Sequence, residues 1–253
     1  STLGMSAGLE IHHDGDLPAR SGIGSSSSFT VGLINVVNAL KGQQTSKEDL
    51  AKQAIYIEQE VLKESVGSQD QILAAFGGFN RIDFNPDDSF NIAPVIINKD
   101  LMSQLQDHML IFFTGLSRFS SDIAKDKINN FTNRFRELTQ IKEIVDEAMS
   151  ILQNPSVPIE NLGKLLHESW KLKRSLSVKV STPYIDEIYE AGISAGAIGG
   201  KILGAGGGGF ILFFAKPENH ANIRSRLKDL VHVSFRFDNM GSKIVVYEPN
   251  GFK

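Results

Sequence analysis

Apolar positions recur at helical spacing over residues 29–40, and the pattern stops at Gly42. Thr45-Ser46-Lys47-Glu48-Asp49 predicts a second helix, with Ser46 as N-cap, running to about Glu64. Leu50, Ala54, Ile57 and Val61 form its apolar stripe, and Ala51, Ile55 and Leu62 widen it. Short strand patterns fall at residues 9–13, 81–84 and 90–97. The unbroken apolar run Met109-Leu110-Ile111-Phe112-Phe113 reads as a buried strand ending at Thr114-Gly115. Helical patterns then extend through Gln153 until Pro155 and Pro158 break them. A helix is predicted over about 160–176 and another from Ser181-Thr182-Pro183, where Pro183 suits the first turn. A strand at 210–214, a helix near 217–230 and strands near 233–237 and 243–247 close the chain. Alternating helical and strand patterns predict an α+β fold, and there are no tandem repeats.

Just ahead of the first helix lies Leu17-Pro18-Ala19-Arg20-Ser21-Gly22-Ile23-Gly24-Ser25-Ser26-Ser27-Ser28. The glycines let the backbone turn tightly and approach a ligand closely. Each serine can cap a helix or offer a hydroxyl to a phosphate oxygen or a metal. The helix start adds unpaired N–H groups and the positive dipole end, so the junction is an anion site. It is not the common nucleotide loop, since no Lys follows the glycines and Gly-x-Gly-x-x-Gly spacing is absent. The plain alternative is a Gly/Ser linker.

At about 100° per residue, Glu58 falls inside the wide apolar arc of the second helix and Glu60 outside it. A carboxylate on a buried face needs a partner, either a metal or a buried Arg or Lys. Asp70 follows in the turn Val66-Gly67-Ser68-Gln69-Asp70-Gln71, where an Asp is commonly a cap. His12 and His13, adjacent on a strand pattern, face opposite ways and read as structural or exposed. Lys171, Lys173 and Arg174 form either a solvated face or a phosphate site. A second glycine tract, Gly199-Gly200-Lys201-Ile202-Leu203-Gly204-Ala205-Gly206-Gly207-Gly208-Gly209, interrupts a hairpin pattern. Such a tract is tolerated where backbone meets a ligand or other backbone.

Composition narrows the partners. The 253 residues allow one large or two ordinary domains, and the 41% hydrophobic and 22% charged shares are those of a globular protein. A net charge of −3 without a long basic run argues against nucleic acid. No apolar segment approaches the roughly 20 residues of a membrane span, and no signal peptide opens the chain. The absence of cysteine excludes disulfides and thiolate metal sites and fits a cytoplasmic setting.

The serine-rich run resembles the central Pro-x-x-x-Gly-Leu-Gly-Ser-Ser motif of the GHMP small-molecule kinases, with Ile23 for the usual Leu. The second tract resembles their C-terminal Gly-x-Gly-x-Gly-Gly motif, and Asp70-Gln71 matches an Asp-Gln pair about a dozen residues beyond a helical Glu. Residues 12–22, 57–64, 67–71 and 199–209 look most like the D-glycero-α-D-manno-heptose 7-phosphate kinase branch, which makes the 1,7-bisphosphate for GDP-heptose and surface glycans. The resemblance covers essentially the whole chain and implies a domain over 1–100 with a mixed sheet and a ferredoxin-like domain over 101–253, with ATP in the cleft between them. Family members carry a further segment with their first motif; nothing before Leu9 resembles it, so the chain reads as truncated at its start.

The resemblance also implies roles. Pro18, Arg20, Ser21, Gly22, Ile23, Gly24, Ser25, Ser26, Ser27, Gly206 and Gly207 would bind ATP, and Ser26 with Glu58 would hold Mg²⁺. Asp70 would take the proton of the sugar hydroxyl, with Arg20 assisting. Arg20, Arg118 and Arg174 would be candidates for the sugar's existing phosphate, and Gly206 with Asp70 would also contact the substrate. That sugar phosphate is the implied partner, with no nucleic acid or membrane, and a homodimer is compatible with it. An L-fucose-type kinase and a kinase-derived sensor that binds ATP and sugar are the competing readings.

Overall fold

The computed structural model describes residues 8–17, 21–116 and 120–248. The chain forms two compact units. Ser1–Ala19, Gly24–Pro94 and Asp238–Lys253 make the first, Arg20–Ile23 and Val95–Phe237 the second.

In the first unit, α1 (Ser25–Leu40) starts ahead of the apolar pattern, because its opening turn is the polar serine run. Ser46 caps α2 (Lys47–Tyr56) by accepting from the Asp49 N–H, as expected. The predicted continuation to Glu64 is not α-helical. The chain widens into a π-turn over Ile57–Val61, in which the Leu62 N–H reaches back to the Ile57 carbonyl at 2.9 Å. Asp70 lies not in a turn but in the first turn of α3 (Gln69–Phe76). Val31, Ile34, Leu50, Ala51, Ala54, Ile72 and Ala75 interlock as the core of these three helices. Each large aliphatic side chain buried there contributes about 1.5–3 kcal/mol.

β1 (Asn80–Phe84) and β2 (Phe90–Pro94) pair antiparallel with Ile82 opposite Ile92. Among the described residues this pair is the whole sheet of the unit, rather than the mixed sheet expected. Residues 9–13 and residues 243–247 form no strand. In both places a strand-like pattern lacks a neighbour to hydrogen-bond with, and pattern alone does not make a strand. The C-terminal segment still belongs here. Gly78 N–H donates to Asp238 at 2.9 Å, Ser242 N–H to Ala74 at 2.8 Å, and Lys47 Nζ to the carbonyls of Phe76 and Met240 at 2.7 Å.

The second unit opens with α4 (Lys99–Asp107), whose cap Asn98 accepts from Leu101 N–H at 2.7 Å. β3 (Met109–Phe113) occupies the predicted span. Then come α5 (Ser120–Asn130), α6 (Phe135–Gln153), α7 (Glu160–Ser175) and α8 (Pro183–Ser194). The hairpin β4 (Ala197–Ile202) and β5 (Phe210–Ala215) follows, then α9 (His220–Arg226) and β6 (Val231–Val233). The sheet order is β4-β5-β3-β6, every pair antiparallel, which is the ferredoxin-like arrangement. β6 ends before the predicted 233–237, because the chain peels off the edge and Phe237 N–H turns to the Gln106 side chain at 3.2 Å. Trp170, Tyr189, Phe112, Ile185, Ile211 and Phe213 fill the core between helices and sheet.

Candidate active site

In the first unit the site is built on the start of α1. Gly24 turns the chain with a φ of +76°, and the first helical hydrogen bond runs from Ser28 N–H to the Gly24 carbonyl at 2.9 Å. The N–H groups of Ser25, Ser26 and Ser27 precede that bond and have no acceptor within the helix, which leaves a positive cradle. Gly24 has a second constraint. A Cβ placed there would lie 3.2 Å from Asp70 Cγ, so the acid of α3 stands against the bare loop backbone.

Glu58 is 1% exposed, as its place in the apolar arc predicts, while Glu60 is exposed and pairs with Lys63 at 2.8 Å. One oxygen of Glu58 accepts from Ser27 Oγ at 3.0 Å and from Gln71 Nε2. The other is buried with no hydrogen-bond partner among the described residues. No Arg or Lys pairs with it among them either, so a buried cation is not what holds this carboxylate. An orphaned, pre-aimed carboxylate oxygen fits a hard divalent cation. No cluster of three His, Cys, Asp or Glu among the described residues could enclose a metal. A cation here would therefore keep water and phosphate ligands, which is the habit of Mg²⁺. Asp70 keeps one side open to solvent, yet burial of its carboxyl, and then the negative charge of Glu58, holds its pKa above the usual carboxylate range.

In the second unit the glycine loop between β4 and β5 packs on the first residues of the serine-rich run. Gly209 has a φ of +85°, and a Cβ on it would fall 2.0 Å from the Ser21 carbonyl oxygen. Lys173 of α7 donates to the carbonyls of Ile202 at 2.8 Å and Gly204 at 2.6 Å, tying down the near end of the loop. Ser21 is fully buried and its hydroxyl has no partner among the described residues.

Residues 1–78 match the GHMP kinases N terminal domain, and residues 158–232 match the GHMP kinases C terminal domain. Together the two matches span more than half of the chain, in the order the loops require. The chain belongs to the GHMP kinases. It is 31% identical over 221 residues to the D-glycero-alpha-D-manno-heptose 7-phosphate kinase of Campylobacter jejuni, covering 87% of this chain and 65% of that one. It is 26% identical over 237 residues to the bifunctional fucokinase/GDP-fucose pyrophosphorylase of Arabidopsis thaliana, covering 91% of this chain and 22% of that one. The chain thus spans less than two thirds of these curated relatives. A crystal structure of a D-glycero-D-manno-heptose 1-phosphate kinase from Bacteroides thetaiotaomicron superimposes with a TM-score of 0.68 at 24% identity. That superposition covers 91% of this chain and 66% of that one, and it shows the shared fold.

Within this GHMP kinase the expected residues divide into groups. Gly24, Ser25, Ser26, Ser27, Glu58 and Asp70 all lie in the first unit, while Ser21, Gly22 and Ile23 pack with the second. Pro18, Arg20 and Arg118 lie outside the described residues. The hydroxyl on Glu58 belongs to Ser27, not Ser26; Ser26 is exposed. Gly206 and Gly207 are buried against Val180, and Gly207 gives its N–H to the Val180 carbonyl at 2.8 Å. That bond uses the Gly207 N–H inside the loop. Arg174 is likewise engaged: it pairs with Asp186 at 2.7 Å and lies over the Trp170 ring. Ser27, Gln71 and Lys173 stand out in the sequence, but the contacts they make here do not, because each acts on an atom far away in the chain.

Proposed function

We propose that this protein is an ATP-dependent sugar kinase that phosphorylates the anomeric hydroxyl of D-glycero-α-D-manno-heptose 7-phosphate, yielding the 1,7-bisphosphate. The observation that carries a kinase reading is the pairing of two unlike carboxylates. Glu58 is buried with one oxygen kept free, and Asp70 is set against the bare backbone of Gly24 with a raised pKa. The heptose assignment is supported by the 31% identity to the Campylobacter kinase.

The backbone N–H groups of Gly22, Gly24, Ser25 and Ser26 receive the nucleotide phosphates, and the helix dipole favours their charge. Asp70 accepts the proton as the sugar oxygen forms its bond to the γ-phosphorus and the bond to ADP breaks. Glu58 and Ser26 would hold Mg²⁺, which supplies charge neutralisation on the phosphates. Ser27 and Gln71 fix the orientation of Glu58 by occupying its other oxygen. Holding the reactants in line accounts for much of the rate in such a transfer.

The direct test offers the full-length protein ATP and Mg²⁺ with heptose 7-phosphate, and in parallel with L-fucose, following ADP release and the product by ³¹P NMR. A doublet of new anomeric phosphate only with heptose 7-phosphate supports the proposal. Turnover of L-fucose instead transfers the assignment to the fucokinase side, which the Arabidopsis relative represents. ATP binding without transfer to any sugar leaves a sensor.

A variant tests the metal role separately. Glu58→Gln keeps the shape and both neighbours but removes the charge. Isothermal titration should show Mg²⁺-dependent ATP binding weakened by about tenfold or more, while metal-free stability stays within about 1 kcal/mol or rises, since an unpaired buried charge is gone. Unchanged Mg²⁺ dependence would remove Glu58 from the metal site.

A further inference from the structure

Glu58 and Gln71 form one buried pair within the first unit, and each carries an oxygen that nothing answers. A carboxylate only accepts, so Gln71 must present its Nε2 to Glu58, as it does. That fixes which way the amide faces, because reversing it would turn oxygen against oxygen. Gln71 Oε1 is therefore held as an acceptor away from solvent, and it has no partner among the described residues. Glu58 Oε1, on the other head of the same pair, has none either.

An amide kept only to steer Glu58 would need its N–H and nothing more. Leaving its carbonyl unanswered, next to an unanswered carboxylate oxygen, costs stability. Both costs lapse together when one guest meets both oxygens. The pair is also tied to the anion cradle at the start of α1. Ser27, in the first turn of that helix, gives its hydroxyl to the engaged oxygen of Glu58 at 3.0 Å. Gln71 directly follows Asp70 on α3, whose carboxyl stands against Gly24. Every free acceptor of the pair is an oxygen, a set that suits hard cations rather than those that seek nitrogen or sulfur.

We propose that Gln71 Oε1 joins Glu58 Oε1 in holding a hydrated divalent cation in the nucleotide-free protein. The proposal rests on the cation role that the kinase reading gives Glu58, and it extends that role to a neutral residue. A carbonyl in the second place keeps the pair at a single negative charge. The cation then retains most of its waters and can exchange them for phosphate oxygens.

Mn²⁺ is the probe, titrated into full-length protein without nucleotide and followed by loss of the free-ion EPR signal. Wild type should take it up, and Glu58→Gln and Gln71→Leu should each weaken binding by about tenfold or more. The exchange Glu58→Gln/Gln71→Glu then separates a residue that holds the cation from one that only steers Glu58. It keeps the charge, the volume and the amide-to-carboxylate hydrogen bond, and moves the carboxylate to position 71. The exchanged pair should recover most of the affinity that Glu58→Gln loses, and without metal it should melt close to wild type.

An exchanged pair as weak as Glu58→Gln overturns the role of Gln71 and leaves that of Glu58 intact. Should the exchanged pair fail to fold, Gln71→Glu alone decides: tighter Mn²⁺ binding supports the proposal, and loss of binding overturns it. Uptake unchanged in Glu58→Gln moves the cation away from this pair and removes the metal part of the kinase reading as well. A wild type that takes up no Mn²⁺ overturns the proposal and leaves the cation to arrive with ATP. The expected pattern in a protein inactive on every sugar sinks the kinase reading and leaves the cation site standing.

Discussion

Asp70→Asn is expected to reduce kinase turnover by about a thousandfold, within the range ascribed to a positioned general base, while ATP affinity stays within about threefold. Asn keeps the shape beside Gly24 but cannot take the proton of the sugar hydroxyl. Fold loss would not explain such a result, and the sign of the pKa shift says why. Asp70 has a folded pKa above its unfolded value, so its ionised form is less favourable in the fold than in the open chain. Above the ordinary aspartate pKa that difference works against folding; below it, it disappears. Metal-free Asp70→Asn should therefore melt at or above wild type at pH 7. Turnover within about threefold of wild type would take Asp70 out of the chemistry.

Gly209→Ala should cost about 3 kcal/mol or more of stability in urea unfolding, with activity lost in proportion. The added methyl would sit 2.0 Å from the Ser21 carbonyl oxygen, and at a φ of +85° the alanine backbone is itself strained. The methyl is fixed by the backbone at 209 and the oxygen is a main-chain carbonyl, so no rotamer change relieves the clash. Gly32→Ala is the control. A Cβ at Gly32, inside α1, meets nothing within 4 Å, and the better helix propensity of alanine should stabilise by up to about 1 kcal/mol. Equal tolerance at both positions would mean that the glycine loop does not press on the serine-rich run.

The extent to which this chain can be read from its sequence depends on the range of the forces involved. β3 was legible to the residue, because a continuous apolar run closed by Thr114-Gly115 has few other homes. The burial of Glu58 followed from helical periodicity alone, although the π-turn that carries it did not, since nothing local in Ile57-Glu58-Gln59-Glu60-Val61 marks the extra residue. Strand patterns at 9–13 and 243–247 misled because pairing depends on a partner elsewhere. The helix over Lys99–Asp107 went unrecognised for the opposite reason: its cap, Asn98, is a strong local signal, but its apolar face is thin. At the site, the glycines and serines announced themselves by type and spacing. The hydroxyl that holds Glu58, the lysine that ties the loop and the acid that claims Arg174 could be seen only once distant segments met.

The segment from Asp238 onward lies in the first unit although the whole of the second intervenes in sequence. On a ribosome this has an order built into it. Residues 95–237 emerge complete and can settle while helices α1 to α3 still wait for Gly241 and Ser242. The first unit is therefore finished after the second, although most of it is made earlier.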